Sequence, residues 1–357
     1  MDPQIDPAAT ERATHCACGD VHTTSRTVVA CDEVTGALFT YHQCASCGLE
    51  RIVQRPTRPA IRAYYPQNYY AYSGPVAVSR SFSDRLKRLA YLVFYAERAE
   101  RSSLENTLRY VLMAVLFPLR FRTILAFRPP RVRRVFEFGA ATGTDLMEFK
   151  AAGWEASGCE PSRDACAIAM QRGIALQNCS AEAAQLPEGH YSCIVLNNVL
   201  EHLHDPAGVL GKASLALVSG GDLVLIVPNH ASWSARQFGS AWPGYDAPRH
   251  LWGFNPASIQ ALLRQTGFSV EYIHHVAPQR WCWAACLGGI RSPAGPTAAR
   301  LLAARWLATF LVPVGLLAAL CRHGDFIKIV ATSDRVGSTA STLRLDADQL
   351  STGLSNA

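Results

Sequence analysis

Apolar positions recur at helical spacing in residues 83–127, where Leu104, Leu108, Val111, Leu112, Val115, Leu116 and Leu119 share a face and arginines occupy the others. From Arg134 the pattern changes to short apolar runs alternating with helical stretches. Val135–Phe138, Glu155–Glu160, Tyr191–Leu196, Asp222–Val227 and Phe326–Ala331 read as strands, and residues 144–152, 162–172 and 206–218 read as helices. This alternation predicts an α/β fold class with a doubly wound, mostly parallel sheet and helices on both faces. Residues 297–321 are apolar but carry Arg300, Arg305 and Pro313. The uninterrupted part, Trp306 to Cys321, is 16 residues, short of the roughly 20 that span a bilayer. It reads as a buried or interfacial helix.

These patterns divide the chain into a disordered start (1–14), a Cys-rich module (15–54), a linker with amphipathic helices (55–133), the α/β domain (134–332) and a disordered tail (333–357). At 357 residues, 49% hydrophobic and 17% charged, the composition is globular. The mean hydropathy of +0.05 leaves apolar surface available for a membrane. The opening Met1-Asp2-Pro3-Gln4-Ile5-Asp6 lacks the basic and apolar regions of a secretory signal, so a cytoplasmic protein is expected. The net charge of +6 conceals a segregation, with +8 in residues 1–134, −7 in 135–230 and +5 in 231–357. The helical pattern of 83–127 reads as a helix packed on the domain or, since residues 80–134 hold 13 basic against 4 acidic side chains, as peripheral contact with anionic lipid at the inner face of a membrane.

The candidate chemistry begins at the first strand of the α/β domain. Val135-Phe136-Glu137-Phe138-Gly139-Ala140-Ala141-Thr142-Gly143-Thr144 places a glycine-bearing turn between strand and helix, where main-chain N–H groups can meet a polar ligand. A dinucleotide fingerprint needs glycines at 139, 141 and 144, and Ala141 and Thr144 exclude it. Glu160 ends the second strand 21 positions after Gly139, where a carboxylate can accept hydrogen bonds from both ribose hydroxyls. With Asn197-Asn198-Val199-Leu200-Glu201-His202-Leu203-His204-Asp205-Pro206 after the fourth strand and Val227-Pro228-Asn229 after the fifth, residues 134–332 resemble the small-molecule branch of the class I S-adenosylmethionine-dependent methyltransferases. The resemblance implies a Rossmann-like domain that binds S-adenosylmethionine. It implies that Glu137, Gly139, Ala141 and Gly143 surround the methionyl end, Glu160 holds the ribose, Glu182 lies near the adenine, and Asn197 and Asn198 sit beside the sulfonium. Ala141 departs from the family's G-x-G-x-G, where a middle glycine is usual.

The loop Trp242-Pro243-Gly244-Tyr245-Asp246-Ala247-Pro248-Arg249-His250-Leu251-Trp252 lies where acceptor pockets of such sheets are built. It resembles the His-Leu loop of methyltransferases that serve sugar and surface-polysaccharide biosynthesis. His250 is the first candidate for general base, with His202 and Tyr245 as further catalytic candidates, since an imidazole can take an acceptor's hydroxyl proton near neutral pH. Arg249 stands where some sugar C-methyltransferases have glutamate. Asn198 stands where metal-dependent catechol-type relatives have the first glutamate of Glu-x-x-Glu-His, which argues against a catalytic metal.

Cys44-Ala45-Ser46-Cys47-Gly48 is a C-x-x-C-G knuckle, and Cys18-Gly19 supplies a second, 26 residues upstream of Cys44. Such knuckles converge on tetrahedral zinc, with either His15 or Cys16 as the fourth ligand. A similar zinc module precedes the domain in the sugar-modifying relatives, whose tyrosine motif Tyr64 to Tyr70 resembles. The sequence therefore predicts an enzyme with structural zinc that methylates a small hydroxylated acceptor, a sugar or carrier-linked glycan. An RNA methyltransferase is the main rival, which the absence of an Asn-Pro-Pro-Tyr motif and of an exposed basic stripe argues against. A non-catalytic scaffold is the third reading. The oligomeric state is not legible.

Overall fold

The computed structural model describes residues 9–65, 132–277, 280–288 and 298–334. The helical pattern of 83–127, the tyrosines beyond Tyr65 and most of the two expected disordered ends lie outside them. In chain order the strands and helices are β1 (Thr10–Arg12), β2 (Thr23–Cys31), β3 (Leu38–Cys44), β4 (Glu50–Ile52), β5 (Gln54–Pro56), β6 (Arg134–Phe138), α1 (Thr144–Ala151), β7 (Glu155–Cys159), α2 (Arg163–Gln171), β8 (Leu176–Gln177) and β9 (Tyr191–Asn197). They continue with α3 (Pro206–Ala216), β10 (Leu217–Pro228), α4 (Trp233–Phe238), β11 (Trp252–Gly253), α5 (Pro256–Gln265), β12 (Phe268–Val276), α6 (Arg280–Gly288), α7 (Ala298–Phe310), α8 (Val312–Leu320) and β13 (Phe326–Ser333).

The seven-stranded sheet runs β12-β13-β10-β9-β6-β7-β8. The pairs from β10 through β8 are parallel; β13 pairs antiparallel with both β10 and β12. This is the mixed, mostly parallel α/β architecture the alternation predicts. Successive residues of its central strands point to opposite faces, so both faces must be apolar. Phe136, Phe138, Ile194, Leu196, Leu225 and Ile329 enter one core, and Val135, Cys193, Val195, Val224 and Val330 enter the other with Leu146, Phe149 and Trp154. Local signals start the helices. Ser162 caps α2 by accepting from the Ala165 N–H, Asp205 caps α3 ahead of Pro206, and Asn255 with Ser258 forms a capping box on α5.

The N-terminal module is a four-stranded sheet of order β11-β4-β3-β2, so its edge strand β11 comes from the loop beside the large sheet. Thr10–Arg12, within the segment expected to be disordered, instead pairs with Gln54–Pro56. The module core is continuous with one face of the large sheet through Cys16, Cys44, Leu49, Trp252 and Phe254.

The apolar run Trp306 to Cys321 is two helices that meet at Leu311 with a bend of 48°. Among the described residues no single helix is long and apolar enough to cross a membrane. Much of this pair is exposed rather than buried, including Leu302, Trp306, Phe310, Leu317 and Leu320.

Candidate active site

The parallel strands β6, β7, β9 and β10 all deliver their C-terminal ends to one edge, which gathers Gly139, Glu160, Asn197 and Asn198. The turn after β6 needs left-handed backbone at three positions, with φ of +63° at Gly139, +46° at Ala141 and +72° at Gly143. Glycine supplies this freely, and Ala141 adopts it at a steric cost of about 1 kcal/mol. At Gly139 a Cβ would stand 2.6 Å from Val199 Cγ2, so the backbone there approaches the β9 loop as only glycine permits.

Glu160 fixes that turn. Its Oε2 accepts the Ala141 N–H at 3.0 Å and its Oε1 the Ser162 N–H at 2.9 Å. Burial raises its pKa despite both bonds. Glu137 is buried with one carboxylate oxygen unpartnered, and burial, reinforced by Asp145 and Glu160, pushes its pKa well up. Asn197 donates to Asp145 Oδ2 at 3.0 Å and Asn198, at φ +53°, donates to Asn197 Oδ1 at 3.0 Å. An orphaned acidic oxygen, a side-chain-free turn and a second carboxylate with lone pairs to spare suit the amine and ribose hydroxyls of S-adenosylmethionine.

His202 and His250 meet edge to face with ring centroids 4.6 Å apart. The Nδ1 of His250 lies 2.8 Å from the Gly244 carbonyl and so carries its proton, which leaves a lone pair on Nε2. The His202 Nδ1 faces the Arg249 carbonyl at 2.9 Å, and the Tyr65 hydroxyl is 3.2 Å from the same nitrogen. Burial lowers both pKa values, to about 4 for His202 and, with His202 adding to it, to about 3 for His250. Both imidazoles are therefore neutral at ordinary pH. Glu201 completes the group. Its Oε1 is 4.0 Å from His250 Nε2, neither oxygen has a hydrogen-bond partner, and burial raises its pKa to about 8.

In the N-terminal module the ligand atoms of Cys16, Cys18, Cys44 and Cys47 lie within 4.8 Å of one another. The Cys16–Cys47 and Cys18–Cys44 sulfur separations are both 3.6 Å, close to the ~3.8 Å edge of a tetrahedron with Zn–S bonds of about 2.3 Å. The hydrogen bond its own S–H gives Cys47, together with burial, holds the Cys16 thiol high, so a cation is what would make it a thiolate. Asp20 supports the cluster, with Oδ2 3.8 Å from the Cys44 sulfur. His15 is outside the tetrad, exposed and 2.8 Å from the Thr14 hydroxyl, so Cys16 takes the fourth position.

One further expectation needs correction. Tyr245 is buried, and its hydroxyl donates to Glu50 Oε2 at 2.7 Å. Burial and the Glu50 charge push its pKa up, which leaves it a structural donor rather than a base. Glu182, the residue expected near the adenine, already has protein partners. Its Oε1 accepts the His204 N–H at 3.0 Å and meets Arg58 at 2.7 Å, and so ties the linker to the β9 loop. Composition gave no sign of Glu50 or His230, which the fold inserts behind the histidine loop. The Glu201-His202 dipeptide was the one local signal for Glu201.

Residues 109–273 match a family model described as a methyltransferase domain. An uncharacterized protein of Mycobacterium bovis and one of Mycobacterium tuberculosis are each 30% identical over 164 residues, covering 44% of this chain. The chain spans about half the length of these curated relatives, 52%. Among solved structures, an S-adenosylmethionine-dependent methyltransferase from Thermotoga maritima superposes with a TM-score of 0.42 at 15% identity, over 65% of this chain and 96% of its own. One from Archaeoglobus fulgidus gives 0.41 at 18%, over 63% and 94%.

Proposed function

We propose that the protein is a class I S-adenosylmethionine-dependent methyltransferase that methylates a hydroxyl of a small acceptor, a sugar or a carrier-linked glycan intermediate; the match of residues 109–273 to a methyltransferase-domain model supports the reading. Glu137, Gly139, Ala141, Gly143 and Glu160 would hold the cofactor, with Asn197 and Asn198 at its reactive end. Bound there, S-adenosylmethionine supplies an electrophilic methyl group on a cationic sulfur.

The observation that carries the reading is the ring state of His250. Its Nδ1–H is fixed on the Gly244 carbonyl at 2.8 Å, so Nε2 is the basic atom. Burial keeps that atom unprotonated. A hydroxyl would pass its proton to Nε2 as its oxygen takes the methyl group and the cofactor's sulfur leaves as a neutral thioether, and the same low-polarity setting excludes the water that would compete. The four module cysteines hold one structural zinc. The exposed apolar face of α7 and α8 rests on an anionic membrane surface, where a carrier-linked substrate would be met.

The test is an acceptor screen with methyl-radiolabelled S-adenosylmethionine against sugar nucleotides, lipid-linked sugars and RNA. Label transferred to a sugar fraction, and lost on His250→Ala, is the expected result. Transfer to RNA alone would replace the acceptor class. No transfer to any fraction, with cofactor still bound, would favour a scaffold.

A further inference from the structure

Behind the His250 loop lies a buried polar chain that the proposed reaction does not use. Glu50 of β4 and His230, just after β10, have side chains only 4% and 3% exposed. The His230 Nδ1 is 3.0 Å from Glu50 Oε2, and its Nε2 is 3.1 Å from the Gly244 carbonyl. That carbonyl is the one that receives the His250 Nδ1–H at 2.8 Å. Tyr245 donates its hydroxyl to the same Glu50 oxygen at 2.7 Å, and Arg26 approaches the other at 3.6 Å.

Both ring nitrogens of His230 thus face groups that only accept. A neutral imidazole has one N–H and can satisfy one of them, so a ring with a proton on each nitrogen is the form that satisfies both contacts. The carboxylate that balances the resulting charge is Glu50. Burial pushes Glu50 up, but the bonds and charge of His230, with Tyr245 and Arg26, more than offset this and keep it ionised.

The space for this chain is built in. A Cβ on Gly253 would stand 2.2 Å from His230 Nδ1, and one on Gly244 about as close to the Trp242 ring, 2.0 Å. The His230 ring also packs edge to face on Tyr245 at 4.4 Å and Trp242 at 5.3 Å.

We propose that Glu50 of the N-terminal module is a positioning residue for methyl transfer, fixing the orientation and tautomer of His250 through a His230 imidazolium and the Gly244 carbonyl. The inference rests on His250 being the base, as proposed above, but its mechanism is a ring state that can be read without turnover. With His230 charged and anchored, the Gly244 carbonyl is held in place and the His250 Nδ1 has a fixed acceptor. Its Nε2 is then the sole basic nitrogen on that ring. With Glu50 neutralised, His230 keeps one proton, releases either Glu50 or Gly244, and His250 gains freedom to rotate or change tautomer.

The test is 15N NMR of the full, zinc-loaded chain labelled in its histidine rings, with His230→Asn and His250→Asn spectra for assignment. In the wild type His230 should show two protonated nitrogens, and His250 a protonated Nδ1 with a lone pair on Nε2. In Glu50→Gln the His230 signature should become that of a neutral ring, and His250 should lose its single tautomer. Affinity for S-adenosylmethionine and zinc content should be unchanged. With an acceptor from the screen, kcat should fall by roughly tenfold or more at nearly constant KM, as for loss of a positioned base. A neutral His230 in the wild type overturns the proposal, and this measurement does not depend on the folding of the Glu50→Gln variant. An unaltered His250 tautomer in Glu50→Gln overturns it as well. A wild-type chain that fails to bind S-adenosylmethionine would instead refute the proposed reaction and leave the ring-state result standing.

Discussion

Replacing Glu160 by glutamine is the sharpest test of the proposed cofactor site, because this carboxylate holds the turn after β6 and, in that reading, the ribose as well. Each oxygen already accepts one backbone N–H, from Ala141 at 3.0 Å and Ser162 at 2.9 Å. Each also keeps lone-pair capacity for a ribose hydroxyl. Glutamine preserves one oxygen and turns the other into an NH2 that confronts an N–H, donor against donor. One backbone donor is then orphaned, which costs about 1 to 3 kcal/mol of stability. On the cofactor side, two hydrogen bonds to a charged acceptor, at about 1.5 to 3 kcal/mol each, become at best one neutral bond of about 1 kcal/mol. The affinity for S-adenosylmethionine should therefore fall by about 2 kcal/mol or more, roughly thirtyfold. Calorimetric titration of the folded variant reads the second effect, and urea denaturation the first. Because burial raises the Glu160 pKa, wild-type affinity should also weaken as pH falls through that raised value, while the glutamine variant stays flat. A folded Glu160→Gln protein that binds S-adenosylmethionine as tightly as the wild type would remove this residue from the site.

Purified protein should contain about one zinc per chain, since structural zinc contributes on the order of 10 kcal/mol; native protein that lacks zinc and has Cys44 and Cys47 freely alkylated refutes the tetrad. The pKa of Glu201, about 8, lies above the carboxylate's ordinary 4.5, so the folded chain binds the extra proton and stability falls as pH rises through that window. Glu201→Gln should match the wild type near pH 4 and exceed it by on the order of 4 kcal/mol above about pH 8; equal stability differences at both pH values in denaturant titrations count against a buried, unpartnered carboxyl. Co-sedimentation should show the chain on anionic vesicles, less at high salt, and not on neutral ones, with Trp306→Glu and Phe310→Glu lowering binding; protein left in the supernatant under every condition denies α7 and α8 a lipid partner.

What could be read from the sequence follows from the range of each interaction. Strands β6, β9 and β10 are doubly buried and appear as apolar runs, and the Gly139 turn and Glu160 belong to one β-α-β unit with a short internal spacing. Strand β12 escaped because its Phe268–Val276 stretch is only partly buried at the sheet edge, and β11 is two residues long and exists by pairing with β4. The break at Leu311 is unmarked except by Pro313, which the first turn of α8 accommodates. Tyr245 and Glu182 have the right chemistry and the right neighbours in sequence, but the partners that engage them, Glu50 and Arg58, are 195 and 124 positions away.

Those distant partners come from the N-terminal segment, and this bears on why a cysteine module precedes the sheet. The Tyr41 hydroxyl donates to the His250 carbonyl at 2.6 Å. Arg249, 4% exposed, is clamped by Asp246 at 2.6 Å, by Asp32 at 3.2 Å and by the Tyr64 carbonyl at 2.7 Å. Removing one partner of such a buried pair costs about 3 to 5 kcal/mol, because the remaining charge stays in a poor solvent. Arg249 is therefore committed to holding the loop against β2 and β3. Since Asp32, Tyr41 and Glu50 lie between or just beyond the two cysteine knuckles, closing those knuckles on the proposed zinc would fix all three at once. The histidines of the α/β domain are thereby ordered by residues outside it, and metal loss should disorder the acceptor loop before it disturbs the cofactor turn.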